Sequence, residues 1–213
     1  MKKENKCHVT FDRLLCLVFL FLAVSLTGCA TTSSSLEAAN KVRFEDTEKG
    51  LAIKINDGLL FKFGESAFLT DADSILDELM SVIKKARGRI FVEGHTDTVG
   101  SDAANLKLSK LRADTVARSL TERKVLPTRI VATGYGSSRL EKSPERTPED
   151  ARLNRRAVIV LEGESRQSIG ADGAEARLDS LLTGIAGKAS EVGGALKDAG
   201  SSLFQSIKGK LGS

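Results

Sequence analysis

The chain has no tryptophan, one tyrosine, two histidines and three cysteines in 213 residues. So few aromatic rings leave no material for a platform that stacks nucleic-acid bases. Charge of either sign is also not in excess: 32 basic against 28 acidic residues leave a formal +4, too little for the basic face that a phosphate backbone attracts. No nucleic-acid partner is expected. Histidines and cysteines nowhere fall at metal-ligand spacing, so no metal and no other cofactor is expected. A Gly-x-Ser-x-Gly elbow is missing, and Gly134-Tyr135-Gly136 is not followed by a phosphate-loop lysine. His95 is the only histidine after residue 29; a lone histidine beside a strand is more often structural than catalytic, and catalysis is not expected. What is present suits a folded protein: 41% hydrophobic and 28% charged residues, enough for a core and unlike a disordered chain.

The start of the chain reads as a targeting segment. Lys2, Lys3, Lys6 and Arg13 precede an apolar run, Leu14 to Leu22, extended by Ala23, Val24 and Leu26. The run is short for a membrane span, which takes about 20 apolar residues, and fits the core of a signal peptide. An uncleaved anchor is the alternative. Leu26-Thr27-Gly28-Cys29 resembles the bacterial lipobox. That resemblance implies removal of residues 1–28, acylation of Cys29, and loss of Cys7 and Cys16 with the signal. One cysteine would remain, and no internal disulfide. Stable anchoring takes more than one acyl chain, at about 0.8 kcal/mol per buried CH₂. Ala30 after the cysteine, where enterobacterial sorting reads Asp as a retention signal, implies the outer membrane, with the domain facing the periplasm.

Residues 29–40 are a polar Ser/Thr tether. Folded structure is expected over 41–163. Val42 to Phe44, then Leu51, Ile53 and Ile55, alternate as strands about a Glu48-Lys49-Gly50 turn. Leu59 to Phe63 reads as a further strand or strand end. Thr70 to Asp73 opens a helix with capping residues, carrying Ile75, Leu79, Val82, Ile83 and Ala86 at helical spacing, with Gly88 as its stop. Arg89 to Glu93 is a strand, and a polar loop runs from Gly94 to Asp102. A second helix covers Ala104 to Arg123 with Ala113, Val116, Ala117 and Leu120 inward, and Pro127 marks its exit. Arg129 to Thr133 and Ala157 to Leu161 are strands, with a helical turn at Glu149 to Leu153 between them. The order β-α-β-α-β-(short α)-β predicts an α+β two-layer sandwich, helices packed on one mixed sheet. The Gly/Ala/Ser-rich stretch 164–213 carries Leu178, Leu182, Ile185, Ala189, Val192, Leu196, Ala199 and Leu203 at steps of three and four. It reads either as an amphipathic helix that needs a partner surface, an envelope protein or a membrane, or as a disordered tail.

Asn105, Leu108, Ser109 and Arg112 share one face of the second helix, and Asp97 lies just upstream in a Gly-flanked loop. An anion and a cation directed at one cleft suit a zwitterion: the carboxylate takes an ammonium and the guanidinium forks a carboxylate. An ordinary Asp97–Arg112 salt bridge fits the same spacing. Val92-Glu93-Gly94-His95-Thr96-Asp97, with Gly100, Asn105, Leu108-Ser109, Arg112-Ala113, Gly134-Tyr135-Gly136 and Asn154-Arg155-Arg156, resembles the OmpA-like C-terminal domain family, over Leu51 to Leu161. The resemblance implies a domain that binds the stem peptide of peptidoglycan without turnover. In it, Asp97 and Arg112 match the residues that hold the zwitterionic end of diaminopimelate, and Asn105 and Leu108 match further pocket residues. Phe63 and Gly64 match a loop that gives backbone contacts. Gly64 stands where some members have Asp, so a side-chain contact is lost there, and Val99 makes the rim more apolar than usual. Arg155 and Arg156 either meet ligand carboxylates or brace the adjacent loop. The expected role is a lipoprotein that anchors the outer membrane to the cell wall; the alternative is an envelope assembly module working through its tail.

Overall fold

A computed structural model describes residues 42–188. The signal segment, Cys29, the tether and the stripe from Ala189 onward lie outside the described residues. Strands β1 (Val42–Thr47) and β2 (Gly50–Asn56) form a hairpin. Its turn needs glycine: Gly50 has φ +143°, and a Cβ there would stand 2.1 Å from the Leu161 carbonyl oxygen. Then follow one helical turn, α1 (Asp57–Leu60), helix α2 (Ala72–Ile83), β3 (Ile90–His95), the long helix α3 (Asp102–Glu122), β4 (Ile130–Gly136), α4 (Pro148–Asn154), β5 (Arg156–Glu162), α5 (Arg166–Ile169) and a helix α6 over 171–188.

The five strands make one mixed sheet in the order β1-β2-β5-β3-β4, all pairs antiparallel except β3 with β4. Period-two alternation sorts the side chains. The row Phe44, Ile53, Ile159, Val92 and Ala132 runs across the register and faces the helices. One step along, Ala52, Val160 and Phe91 face the other way, with the Lys49 ammonium 3.0 Å above the Phe91 ring. Ile75, Leu76, Leu79 and Ile83 of α2 and Ala113, Val116 and Leu120 of α3 close the core from the helical side. Fully burying each large aliphatic side chain contributes about 1.5–3 kcal/mol. The predicted α+β layering is the observed one.

Local differences have local causes. The stretch expected to be a strand at Leu59 to Phe63 is instead the turn of α1, because the Asn56 side chain caps it from Gly58 N–H at 2.9 Å; only Phe61 bridges, to Phe68. Helix α2 starts without a side-chain cap from Asp71. It ends at Ile83, short of Gly88, in overlapping turns at Lys84, Lys85 and Ala86. Gly88 serves a close approach: a Cβ there would lie 2.4 Å from the Glu162 carbonyl oxygen. The core also runs past residue 163. Ile169, Ala171, Ala174 and Leu178 are buried in it, with Leu181 and Leu182 packed against it. Arg177 pairs with Glu78, and Lys85 Nζ donates to the Ile169 carbonyl at 2.8 Å. The first residues of the tail's apolar stripe therefore find their partner surface on this domain.

Candidate functional site

Helix α3 can lie close over β3 and β4 because of two glycines. A Cβ on Gly94 would stand 2.1 Å from the Ser109 carbonyl oxygen, and one on Gly134 would stand 2.3 Å from the Lys110 nitrogen. Ser109, fully buried, accepts from Gly136 N–H at 2.8 Å and donates to the Leu106 carbonyl at 2.9 Å. This seam brings the polar side of α3 against the carboxyl ends of the strands.

Asp97 leaves the end of β3, 8% exposed. One carboxylate oxygen accepts from Val99 N–H at 3.2 Å and the other from Arg155 Nη1 at 2.6 Å. Arg112, 3% exposed, projects from α3 and donates to Asp57 at 2.8 Å and to the Glu65 carbonyl at 2.9 Å, with its guanidinium 5.2 Å from the Phe61 ring centre. Arg155 Nε lies 3.5 Å from the second oxygen of Asp57. Asp97, Arg155, Asp57 and Arg112 thus alternate in sign as a quartet with no net charge. Asp97 and Arg112 belong to one cluster but do not form the direct salt bridge that spacing allowed; Arg155 and Asp57 stand between them. The charge of Asp97 still acts on both Asp57 and Arg112. Burial raises the Asp57 carboxyl above its ordinary value, outweighing the two guanidiniums beside it. Burial likewise pulls Arg112 below its ordinary value, against the pull of Asp57.

Other expected residues take different places. Asn105 uses its amide to hold the loop, donating to the carbonyls of Asp97 (3.3 Å) and Val99 (3.1 Å). Leu108 is half-buried one turn before Arg112. Phe63 is 91% exposed and Gly64 is open at φ +73°, on the loop whose Glu65 carbonyl receives Arg112. Arg156 lies apart from Asp97. It pairs with Glu141 at 3.2 Å, beside Arg43 and Lys54, on the sheet face away from the helices. The reason is the pleat: residue 156 pairs across from His95 and Asn56 in the sheet, while residue 155 precedes the strand and turns to the opposite side. Asp57 was not singled out from the sequence. Its signal is the one that marked Asp97, a lone carboxylate at the carboxyl end of an apolar strand.

Residues 60–155 match the family model described as OmpA family. Outer membrane protein P5 of Haemophilus influenzae is 40% identical over 87 residues, which is 39% of this chain and 24% of that protein; the chain thus spans about a quarter of that relative's length. Outer-membrane lipoprotein YfiB of Pseudomonas aeruginosa is 26% identical over 161 residues, 72% of this chain and 95% of that one. A putative MotB-like protein from Desulfovibrio vulgaris superposes with a TM-score of 0.53 at 25% identity, over 61% of this chain and 87% of its own.

Proposed function

From a chain whose residues 60–155 form an OmpA family domain, we propose that the Asp97–Arg155–Asp57–Arg112 quartet holds the diamino-acid end of a peptidoglycan stem peptide, without turnover. The observation that carries this reading is the quartet itself: two carboxylates and two guanidiniums, largely withdrawn from water, at one end of the sheet beside α3. Paired charges of this kind add little net stability. They are suited to a ligand that brings its own opposite pair. The ligand ammonium takes free lone pairs on Asp97, and its carboxylate takes guanidinium N–H groups of Arg112 and Arg155. Phe63, Gly64 and Leu108 form the rim, and Asn105 fixes the loop that aims Asp97.

The remainder of the proposal is an anchor. A lipid on Cys29 holds the outer membrane, and the domain, facing the periplasm, holds the wall. The relative YfiB, described as an outer-membrane lipoprotein and aligned over nearly its full length, supports this arrangement. A single small polar site binds weakly; many copies on one membrane facing a polymer adhere through multivalency. Sedimentation with purified peptidoglycan tests the reading. Wild type is expected to sediment and Asp97→Ala to stay in solution; if both stay equally in solution, the reading fails.

A further inference from the structure

We propose that Glu145 is a positioning residue for the Asp97 loop, acting through Thr98; the proposal rests on the reading of Asp97 as the ammonium-binding carboxylate. Thr98 donates to the Glu145 carboxylate twice, from its backbone N–H at 3.3 Å and from its hydroxyl at 3.0 Å. Glu145 is itself fixed. Asn154, fully buried at the end of α4, donates to Glu145 Oε2 at 2.7 Å. The same amide accepts from Lys142 N–H at 2.8 Å and donates to the Lys142 carbonyl at 3.1 Å. Segment 142–145 is therefore clamped on Asn154, and its carboxylate reaches across to the loop after β3.

That loop has two separate fixings. Asn105 holds it by the carbonyls of Asp97 and Val99. Glu145 holds it by the N–H and hydroxyl of the residue between them. The second fixing bears on the carboxylate, because Val99 N–H donates to Asp97 Oδ1: the path of the backbone through residues 98 and 99 sets which way the Asp97 carboxylate turns. Both Glu145 oxygens are committed to protein donors, so its action on a ligand is indirect. A carboxylate suits the position because three donors converge on it and its two oxygens offer about four acceptor sites. The clamp also has a far end. Glu141, just before that segment, is gripped by Arg43 of β1 at 2.6 Å, so residues 141–145 join β1 to the loop that carries Asp97.

The test uses the full chain, sedimentation with purified peptidoglycan, and amide hydrogen exchange. Glu145→Ala is expected to weaken sedimentation about ten-fold, the scale of one charge-assisted hydrogen bond. It should also speed exchange at Thr98 and Val99 while β3 amides stay near wild type, and lower the melting temperature because the buried Asn154 amide loses an acceptor. Glu145→Gln, which keeps one acceptor oxygen, should recover most of the binding. Thr98→Val combined with Glu145→Ala should be no weaker than Glu145→Ala alone, since both act on one contact. Wild-type sedimentation by Glu145→Ala, or additive losses in the double variant, overturns the proposal. Equal failure of wild type and Asp97→Ala instead removes the wall-binding reading beneath it, so the two failures are told apart within one experiment.

Discussion

Asp57 and Glu141 are both ringed by cations, on opposite sides of the sheet, and their acidities move in opposite directions. Asp57, 6% exposed, faces Arg112 and Arg155. Burial there outweighs both guanidiniums, and its carboxyl is raised above the ordinary range. Glu141, with a side chain 15% exposed, faces Arg43, Lys54 and Arg156. Burial again disfavours its charge, but three cations together outweigh it and the carboxyl is lowered. By linkage the ionised Glu141 stabilises the fold above its ordinary value, whereas the ionised Asp57 is held at a cost. One ion cluster binds the sheet edge to a loop. The other keeps its charges against their own preference, which is the condition expected of a site arranged for a partner's charges.

The largest expected effect tests that contrast directly. Asp57→Ala leaves Arg112 buried with no counter-charge on its side, and stability in urea or by thermal melting should fall by about 3–5 kcal/mol. Glu141→Ala removes a shared acceptor from cations that retain some access to water, with an expected loss of about 1.5–3 kcal/mol. Equal losses would erase the distinction. The adjacent arginines sharpen it. Arg155→Gln frees Asp97 of its partner and should weaken peptidoglycan sedimentation about ten-fold. Arg156→Gln should leave sedimentation at wild-type level and lower the melting temperature instead. Reversal of those two outcomes would move the site to the other face of the sheet.

How far these regions were legible in the sequence follows from what periodicity can carry. The sheet, the two long helices and their inward residues were readable, because burial imposes periods of 2 and 3.6 on side chains close in the chain. That Asn105 and Arg112 share one helix with Asp97 in the loop before it was readable too; spacing alone marked them weakly, and the resemblance to the OmpA-like family singled them out. The partners of Asp97 and Arg112 were not readable. Asp57 and Arg112 are 55 positions apart, and Arg155 and Asp97 are 58 apart; no local pattern links such pairs. Arg156 was the arginine expected among the ligand residues; the strand boundary at 155–156 instead puts Arg155 beside Asp97 and Arg156 on the other face. The short turn of α1 escaped because one side-chain cap, from Asn56, overrode an apolar run that otherwise resembles a strand. The inward residues of α6 escaped for another reason. Their stripe was visible, but its partner surface is α2 and its surroundings, a relation across some 100 positions, as between Arg177 and Glu78.

The smallest expected effect concerns pH, and it separates the two faces by sign. His95 is 2% exposed on the face shared with Arg156, stacked 5.4 Å from Tyr135, with Nε2 3.5 Å from the Glu93 carboxylate. Burial, aided by Arg156 and Arg139, lowers its pKa below the ordinary 6.5 despite the pull of Glu93. A folded-state value below the unfolded one means that acid drives unfolding. Between 6.5 and the lowered value the unfolded chain takes up a proton that the folded chain refuses, so stability present above 6.5 is lost as pH falls through that window. The slope approaches about 1.4 kcal/mol per pH unit at most, the limit for a single group. Glu93 and Glu141, both lowered, add their losses only below 4.5. Asp57 acts with the opposite sign: the folded chain protonates it sooner than the unfolded chain does, so acid relieves its cost. His95→Gln should therefore flatten the decline in melting temperature that begins as pH falls below 6.5. A decline as steep as in wild type would mean that His95 is not the group that titrates in that window.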